Sequence, residues 1–293
     1  MNHKQLLQEF TDWLLLLGYA NATAYKLHKL LSEFFKKIEI NKITELTSEH
    51  FYEFYKESKI RSNKRFGGGL SNKTLNEYQW SFRVFSNYIT KYYKHEVTLN
   101  FKSEKVTSSI PIFLSVAEVK ELFQGCNSLE NPYKQRSKAI LVLLYNCGLR
   151  RSEASKLNVQ DIRFGSRVIH VEKGKNNKQR FVPFNQYSAE LLREYLLDAR
   201  MDLNQYNSPS FLLGATGHRL MMGTIGRTIK TLVELTGNKE LQLKKVTAHT
   251  LRHSIATHLL EQGMDIESIQ LFLGHSSLES TQLYTHIGQD NEL

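Results

Sequence analysis

HTLRHSIATHLLEQGMDIESIQLFLGHSSLESTQLYTH, residues 249–286, decides how this chain is read. Leu251, Ile255 and Leu259 recur every fourth residue and predict the buried stripe of a helix that begins near Thr247. His249 and Arg252 are three apart, so they share a different face and point to one spot. Gly263 ends that helix and Gly274 the next. His275 follows at a turn, and Ser276 with Glu279 forms a capping box for a short last helix that carries Tyr284 near its end. One run therefore supplies two histidines, an arginine and a phenol able to act as a nucleophile. That set suits transfer of a phosphodiester from DNA to protein.

The other half of the constellation is CGLRRSEASKL, residues 147–157. Arg150 follows the glycine that closes a strongly apolar helix expected from about Ser137 to Asn146, and Glu153 is placed to orient it. Two guanidinium groups, Arg150 and Arg252, can clamp a pentacoordinate phosphate because each presents a planar fork of donors. VIHVEKGKNNKQRFVPF, residues 168–184, predicts a hairpin: Val168 and His170, then Phe181 and Val182, flank a loop of Gly, Asn and Lys. Its loop offers Lys173, Lys175, Lys178 and Arg180 to a DNA groove and one ammonium to a leaving oxygen.

Two competing chemistries fail on spacing. His249, His253 and His258 lie close together, but the zinc-protease signature needs Glu where Thr250 stands, and His258 is off the common face, so no metal is expected. GGGLSNKT, residues 67–74, departs from a phosphate loop at Asn72, where the pattern requires glycine, and no apolar strand precedes it.

With 293 residues, the chain can bury two cores, and its formal net charge is +10. Residues 1–100 hold 15 Lys and Arg against 10 Asp and Glu, and the remainder 24 against 19, so both parts carry +5. Both domains are expected to face a polyanion. Two cysteines, Cys126 and Cys147, are too few for a disulfide framework and point to a reducing compartment. The N-terminus lacks a signal-peptide layout, and the longest apolar runs fall far short of the ~20 residues of a membrane span. A soluble cytoplasmic, nucleoid-associated protein is expected.

Residues 5–100 predict an all-α domain. The stripes are Leu6, Leu7, Phe10, Trp13, Leu14 and Leu17; Tyr25, Leu27, Leu30, Leu31, Phe34 and Phe35; Phe51, Phe54 and Tyr55 behind a Ser48 cap; and Leu75, Tyr78, Phe82, Phe85 and Ile89. Helical spacing makes these aromatics core rather than platforms for bases. Between the third and fourth stripes, residues 56–73 hold six Lys and Arg against one Glu around a triple glycine, and Lys59, Arg61, Lys64, Arg65 and Lys73 are the candidates for phosphate contact. The polar stretch 103–112 is read as a linker between a domain at 1–102 and a second at 113–293. Beyond the hairpin, the second domain is expected to be helical.

These residues resemble the tyrosine recombinase family of Xer and phage-integrase type. The matches are G-L-R-x-S-E at 148–153, the K-G hairpin at 173, H-x-L-R-H at 249–253, L-G-H at 273–275 and Q-L-Y-T-H at 282–286, in order and at matching spacing. The resemblance is specific from about residue 112 to 286 and extends to the N-terminal half only as a small helical, SAM-like core-binding domain. It implies a mainly α, two-domain fold whose catalytic domain carries a small antiparallel sheet. It implies Tyr284 as nucleophile, Arg150 and Arg252 as phosphate clamp, and His249 and His275 as stabilisers of the transition state. Glu153 is then the support, and Lys173 the general acid for the 5′ oxygen, with Lys175 a competitor. A phosphotyrosine stores the bond energy, so no cofactor is implied. The implied partner is double-stranded DNA with inverted-repeat sites, on which a homotetramer or paired heterotetramer assembles. A type IB topoisomerase uses similar residues, and an idle DNA-binding regulator could share the frame. Exchange of partners between two DNA sites, against relaxation of one plasmid, separates the first alternative.

Overall fold

A computed structural model describes residues 2–62, 69–106, 112–172 and 179–274. The chain divides into two compact units, residues 1–109 and 110–293.

The N-terminal unit is built from α1 (His3–Leu16), α2 (Asn21–Phe35), α3 (Ser48–Ile60) and α4 (Asn72–Tyr93). Their stripes meet in an aromatic core. Phe34 stacks on Phe51 at 4.6 Å between ring centroids, meets Phe54 edge-on at 5.5 Å and lies 5.2 Å from Phe82. Such pairs contribute about 0.5–1.5 kcal/mol each beyond burial of their area. Two stripe members are displaced. Tyr25 is 70% exposed and Ala24 takes the inward position, and Leu17 lies past the end of α1 at 53% exposed. The cap of α3 is Thr47 rather than Ser48, because the His50 ring nitrogen accepts the Thr47 N–H and completes the box.

Two readings of connecting segments are corrected. The basic stretch 56–73 is helical at both ends, since α3 runs to Ile60 and α4 starts at Asn72, and Ser62 bridges to Gly69; residues 63–68 lie outside the described residues. Residues 103–105, read as the start of a linker, are held to α4. The Asn76 amide donates to the Glu104 carbonyl at 2.9 Å and accepts its N–H at 2.7 Å, while Asn72 donates to the Lys105 carbonyl at 2.6 Å. Polar side chains on the helix take up the backbone groups of an unpatterned, irregular segment, so composition alone reads as linker.

The second unit has an aliphatic core. Helix α5 (Val116–Gly125) opens on a box in which Ser115 and Glu118 cap each other's backbone. Helix α6 (Tyr133–Leu141) does not run on as an α-helix to Asn146. It widens into a π turn over Val142–Asn146 and stops at Gly148, whose φ is +57°. A side chain at Gly148 would be strained, and a Cβ would lie 2.7 Å from the Leu273 side chain. Helix α7 (Arg151–Lys156) follows, then a three-stranded antiparallel sheet, β1 (Ile162–Arg163), β2 (Val168–Val171) and β3 (Arg180–Pro183), in that order. Register pairs His170 with Phe181 and Val171 with Arg180, the hairpin expected from the sequence.

Helices α8 (Gln186–Leu197), α9 (Ala199–Leu203), α10 (Met222–Leu235) and α11 (Lys239–Leu243) complete the shell. Residues 204–221 are not helical: Asn158 bridges to Ser210 and Leu213 to Arg219, around Pro209 and the left-handed Gly217. Helix α12 (Ala248–Glu261), capped by Thr247, and α13 (Ile266–Leu273) carry the start of the decisive segment. Among the described residues no helix is long and apolar enough to cross a membrane.

Candidate active site

Helix α12 is enclosed on most sides. Besides Leu251 and Ala256 it buries Thr250, Arg252, His253, Ser254, Thr257 and His258. That polar burial needs partners. Ser254 takes the Leu114 N–H at 2.8 Å, and His258 shares a 2.7 Å hydrogen bond with the Tyr145 hydroxyl on the π turn.

Arg252 is 3% exposed and donates to the Gly148 and Leu273 carbonyls. It thereby pins the turn before Arg150 to the end of α13. Arg150, at the N-cap of α7, donates from Nη1 to Glu153 Oε1 at 2.8 Å and from Nη2 to the Gly274 carbonyl at 2.9 Å. The two arginines thus hold consecutive carbonyls, 273 and 274, on the chain that leads directly into His275. With His249, Arg151, Ser152, Met222, Thr247 and Ala248 they line one cleft of about 540 Å³. His249 and Arg252 share one face of α12, as their spacing predicts, and Arg150 lines the same cleft.

Electrostatics in the cleft follow from burial and the two guanidiniums. His249 is lowered from the ordinary imidazole range by burial first, then by the charges of Arg252 and Arg150, which favours a neutral ring at pH 7. His253, stacked beside it with centroids 5.9 Å apart, is pushed down to about 4, by burial and then by His249. Burial alone would raise the Glu153 carboxyl. The hydrogen bonds and charge of Arg180, then of Arg150, outweigh it and hold the group at about 2.

Arg180 corrects an expectation. Read as part of the groove-facing array, it is 9% exposed and forks onto Glu153, with Nη1 at 3.0 Å from Oε1 and Nη2 at 2.8 Å from Oε2. In β3 the inward positions are Arg180 and Val182, while Phe181 is 54% exposed. The period of two was legible, but the apolar Phe181 disguised it. Arg61 and Lys59 are exposed, yet each is paired with an acid. Arg61 reaches Glu33 at 3.4 Å and the Tyr78 hydroxyl at 3.1 Å, and Lys59 pairs with Glu104 at 2.5 Å. The charge run does not reveal these pairings, because acids distant in sequence cannot be assigned to it. Lys73, in the first turn of α4, is exposed. Arg151 carries no signal in the sequence beside Arg150, and only the placement of α7 shows that it lines the cleft.

Lys64, Arg65, Lys173, Lys175, Lys178, His275 and Tyr284 lie outside the described residues, as does the Ser276–Glu279 capping box. The three α12 histidines do not converge on a metal: His249 faces the cleft and His258 meets Tyr145. A different group, Asp161, His170 and Glu172, brings three ligand atoms within 4.8 Å, although Asp161 already accepts the Asn158 N–H.

Residues 113–290 match the phage integrase family. The chain is 33% identical over 243 residues to tyrosine recombinase XerC of Oceanobacillus iheyensis, covering 81% of this chain and 77% of the relative. It is 39% identical over 184 residues to tyrosine recombinase XerD of Corynebacterium glutamicum, covering 62% and 59%. Among solved structures, the Tn1549 transposon integrase in complex with transposon right end DNA superposes with a TM-score of 0.70 at 19% identity, covering 98% of each chain.

Proposed function

Since the chain belongs to the phage integrase family and is a site-specific tyrosine recombinase, we propose that Tyr284 cuts and rejoins DNA with the described cleft as its phosphate site. One observation carries this reading. Arg150 and Arg252, from α7 and α12, converge with His249 in a single cleft and hold the carbonyls of residues 273 and 274. The chain that continues from there bears His275 and, nine residues later, Tyr284.

In the proposed step the Tyr284 oxygen attacks phosphorus in line, giving its proton to the neutral imidazole of His249 and forming an O–P bond as the bond to the 5′ oxygen breaks. The product is a 3′-phosphotyrosine and a 5′ hydroxyl. A phenol has a pKa near 10, so it needs fixed positive and donor groups where charge develops. Arg150, Arg252 and the neutral His249 supply them, with His275 beside them in sequence. Lys173, two residues past Val171, the last residue of β2, protonates the departing 5′ oxygen, with Lys175 as its rival. Attack by the 5′ hydroxyl of a second site reverses the step and exchanges the strands. Relatives are solved with DNA. We take the partner here to be paired inverted-repeat duplexes, with four protomers assembled on them; Lys73 and the loop cations Lys64, Arg65 and Lys178 contact phosphates.

The test starts from nicked duplexes with random flanks, from which the short fragment diffuses away after cleavage. The wild-type chain forms a denaturation-resistant adduct with a recoverable subset, and Tyr284→Phe forms none. An adduct that persists in Tyr284→Phe overturns the assignment. Exchange between two recovered sites, rather than relaxation of a supercoiled plasmid alone, separates recombination from topoisomerase action. Among recovered duplexes, a 5′-phosphorothiolate leaving group restores cleavage to Lys173→Ala. Restoration of Lys175→Ala alone moves the general acid.

A further inference from the structure

Arg180 is the first residue of β3 and stands opposite Val171, the last residue of β2, which precedes Lys173 by two positions in sequence. Its guanidinium does three things at once. It forks onto both oxygens of Glu153, at 3.0 and 2.8 Å. Its Nε donates to the Phe272 carbonyl at 3.3 Å. Its chain packs over Gly274 so closely that a Cβ there would lie 2.7 Å from Arg180 Cδ. Gly274, with φ +65°, is therefore restricted to glycine by both backbone and space. One side chain thus joins the base of the lysine hairpin, the Arg150 support and the turn that leads into His275.

The charge balance gives this strut a chemical role. Glu153 is 4% exposed at its side chain. Oε1 accepts from Arg150 Nη1 and Arg180 Nη1, and Oε2 accepts the Arg150 backbone N–H at 2.9 Å and Arg180 Nη2. A buried Glu153 facing Arg150 alone would form a neutral pair. With its oxygens open, the carboxylate would draw the whole fork of Arg150 to itself. Two arginines around one carboxylate leave a net charge of +1, and Arg180 fills the lone pairs that would otherwise compete with phosphate. The more exposed guanidinium, Arg150 at 26%, is the one on the cleft.

We propose that Arg180 is a positioning residue for DNA cleavage: it saturates Glu153 so that Arg150 keeps its charge and orientation for the scissile phosphate, and it fixes the lysine hairpin to the Gly274 turn. The proposal rests on the recombinase reading of the cleft.

It is tested with the full chain and a nicked duplex recovered by wild-type adduct formation. Single-turnover cleavage at saturating protein falls about 100-fold in Arg180→Met, the scale on which loss of a preorganised electrostatic group acts. Affinity for the intact duplex, measured with Tyr284→Phe present, stays within about threefold and keeps its salt slope, because no phosphate contact is lost. Arg180→Lys recovers part of the rate, since a point charge cannot serve both oxygens. Removing the unbalanced carboxylate as well, in Glu153→Gln/Arg180→Met, raises the rate at least about tenfold over Arg180→Met, on the same electrostatic scale. If Arg180→Met is insoluble, Arg180→Lys with and without Glu153→Gln gives the same comparison. A single variant that cleaves at the wild-type rate, a reduced salt slope, or a double variant no faster than the single overturns the proposal. No adduct with wild type would instead sink the recombinase reading, before Arg180 is tested.

Discussion

The two cores of this chain are made of different material. Among the described residues the N-terminal unit buries rings and aliphatic groups with Ser58, Gln79, Ser81 and Ser86, and no charged side chain. The second unit surrounds an aliphatic centre with buried Arg136, Glu153, Asp161, Arg200 and Arg252. Burying a charge is costly unless it is paired or hydrogen-bonded. The arginines meet that condition by bracing loops through carbonyls: Arg136 holds Leu213, Arg200 holds Ser208, Ser210 and Phe211, and Arg252 holds Gly148 and Leu273. A core of rings makes a rigid module that presents a surface. A core braced by guanidiniums can present charge at a fixed point, which chemistry on phosphate requires.

The sharpest way to break this comparison is to delete one member of each core. Glu153→Ala strands two guanidiniums and costs the catalytic unit about 3–5 kcal/mol. Phe34→Ala empties the aromatic centre at a similar cost, about 3–5 kcal/mol. Their effects on activity differ. Glu153→Ala abolishes adduct formation even on bound DNA, whereas Phe34→Ala leaves a cleavable complex at high protein concentration. Both tryptophans, Trp13 and Trp80, lie in the N-terminal unit, so urea titration followed by their emission shifts in Phe34→Ala and not in Glu153→Ala. A shift of the same size in both variants would erase the distinction.

Acid provides a gentler separation. Glu153 is depressed to about 2, so its contribution is full above the ordinary carboxyl value of 4.5 and is lost as pH falls toward 2. The shift corresponds to on the order of 3 kcal/mol. His253, depressed to about 4, adds a loss that begins as pH drops below 6.5, because the unfolded imidazole takes a proton that the buried ring refuses. In the N-terminal unit the depressed carboxyls, Glu45 and Glu104, are at the surface, where solvent screens them. Far-UV circular dichroism therefore begins to fall between about pH 6 and 4 while tryptophan emission holds. Coincident acid transitions would contradict the assignment of buried charge to one unit.

The smallest effect belongs to Tyr145→Phe, which removes the hydrogen bond to His258 and leaves a buried ring nitrogen without it. The loss is about 1–2 kcal/mol. Calorimetry should show a lower midpoint by a few degrees with adduct formation intact. No shift would mean that another group satisfies His258.

Local patterns explain how much could be read before folding. The helical stripes of α1 to α4, the start of α12 near Thr247 and the β2–β3 hairpin rest on residues two to four apart, whose geometry the backbone imposes directly. The motif residues Arg150, His249 and Arg252 were legible for the same reason, each anchored to a recognisable helix start or turn. Tyr25, one place off its stripe, and the π turn after Leu141 were not, since packing against neighbouring elements decides both.

Sequence alone determined the chemistry on offer: a tyrosine, two arginines, two histidines and a hairpin lysine in a fixed order, with basic charge spread over both halves. Tertiary structure alone decided how the cations are used. Arg180 meets Glu153 across 27 positions, Arg61 meets Glu33 across 28, and Lys59 meets Glu104 across 45. A charge in a sequence has no partner until the chain brings an opposite charge within a few ångströms, and Coulomb attraction falls with distance through a medium that only folding can make poor in water.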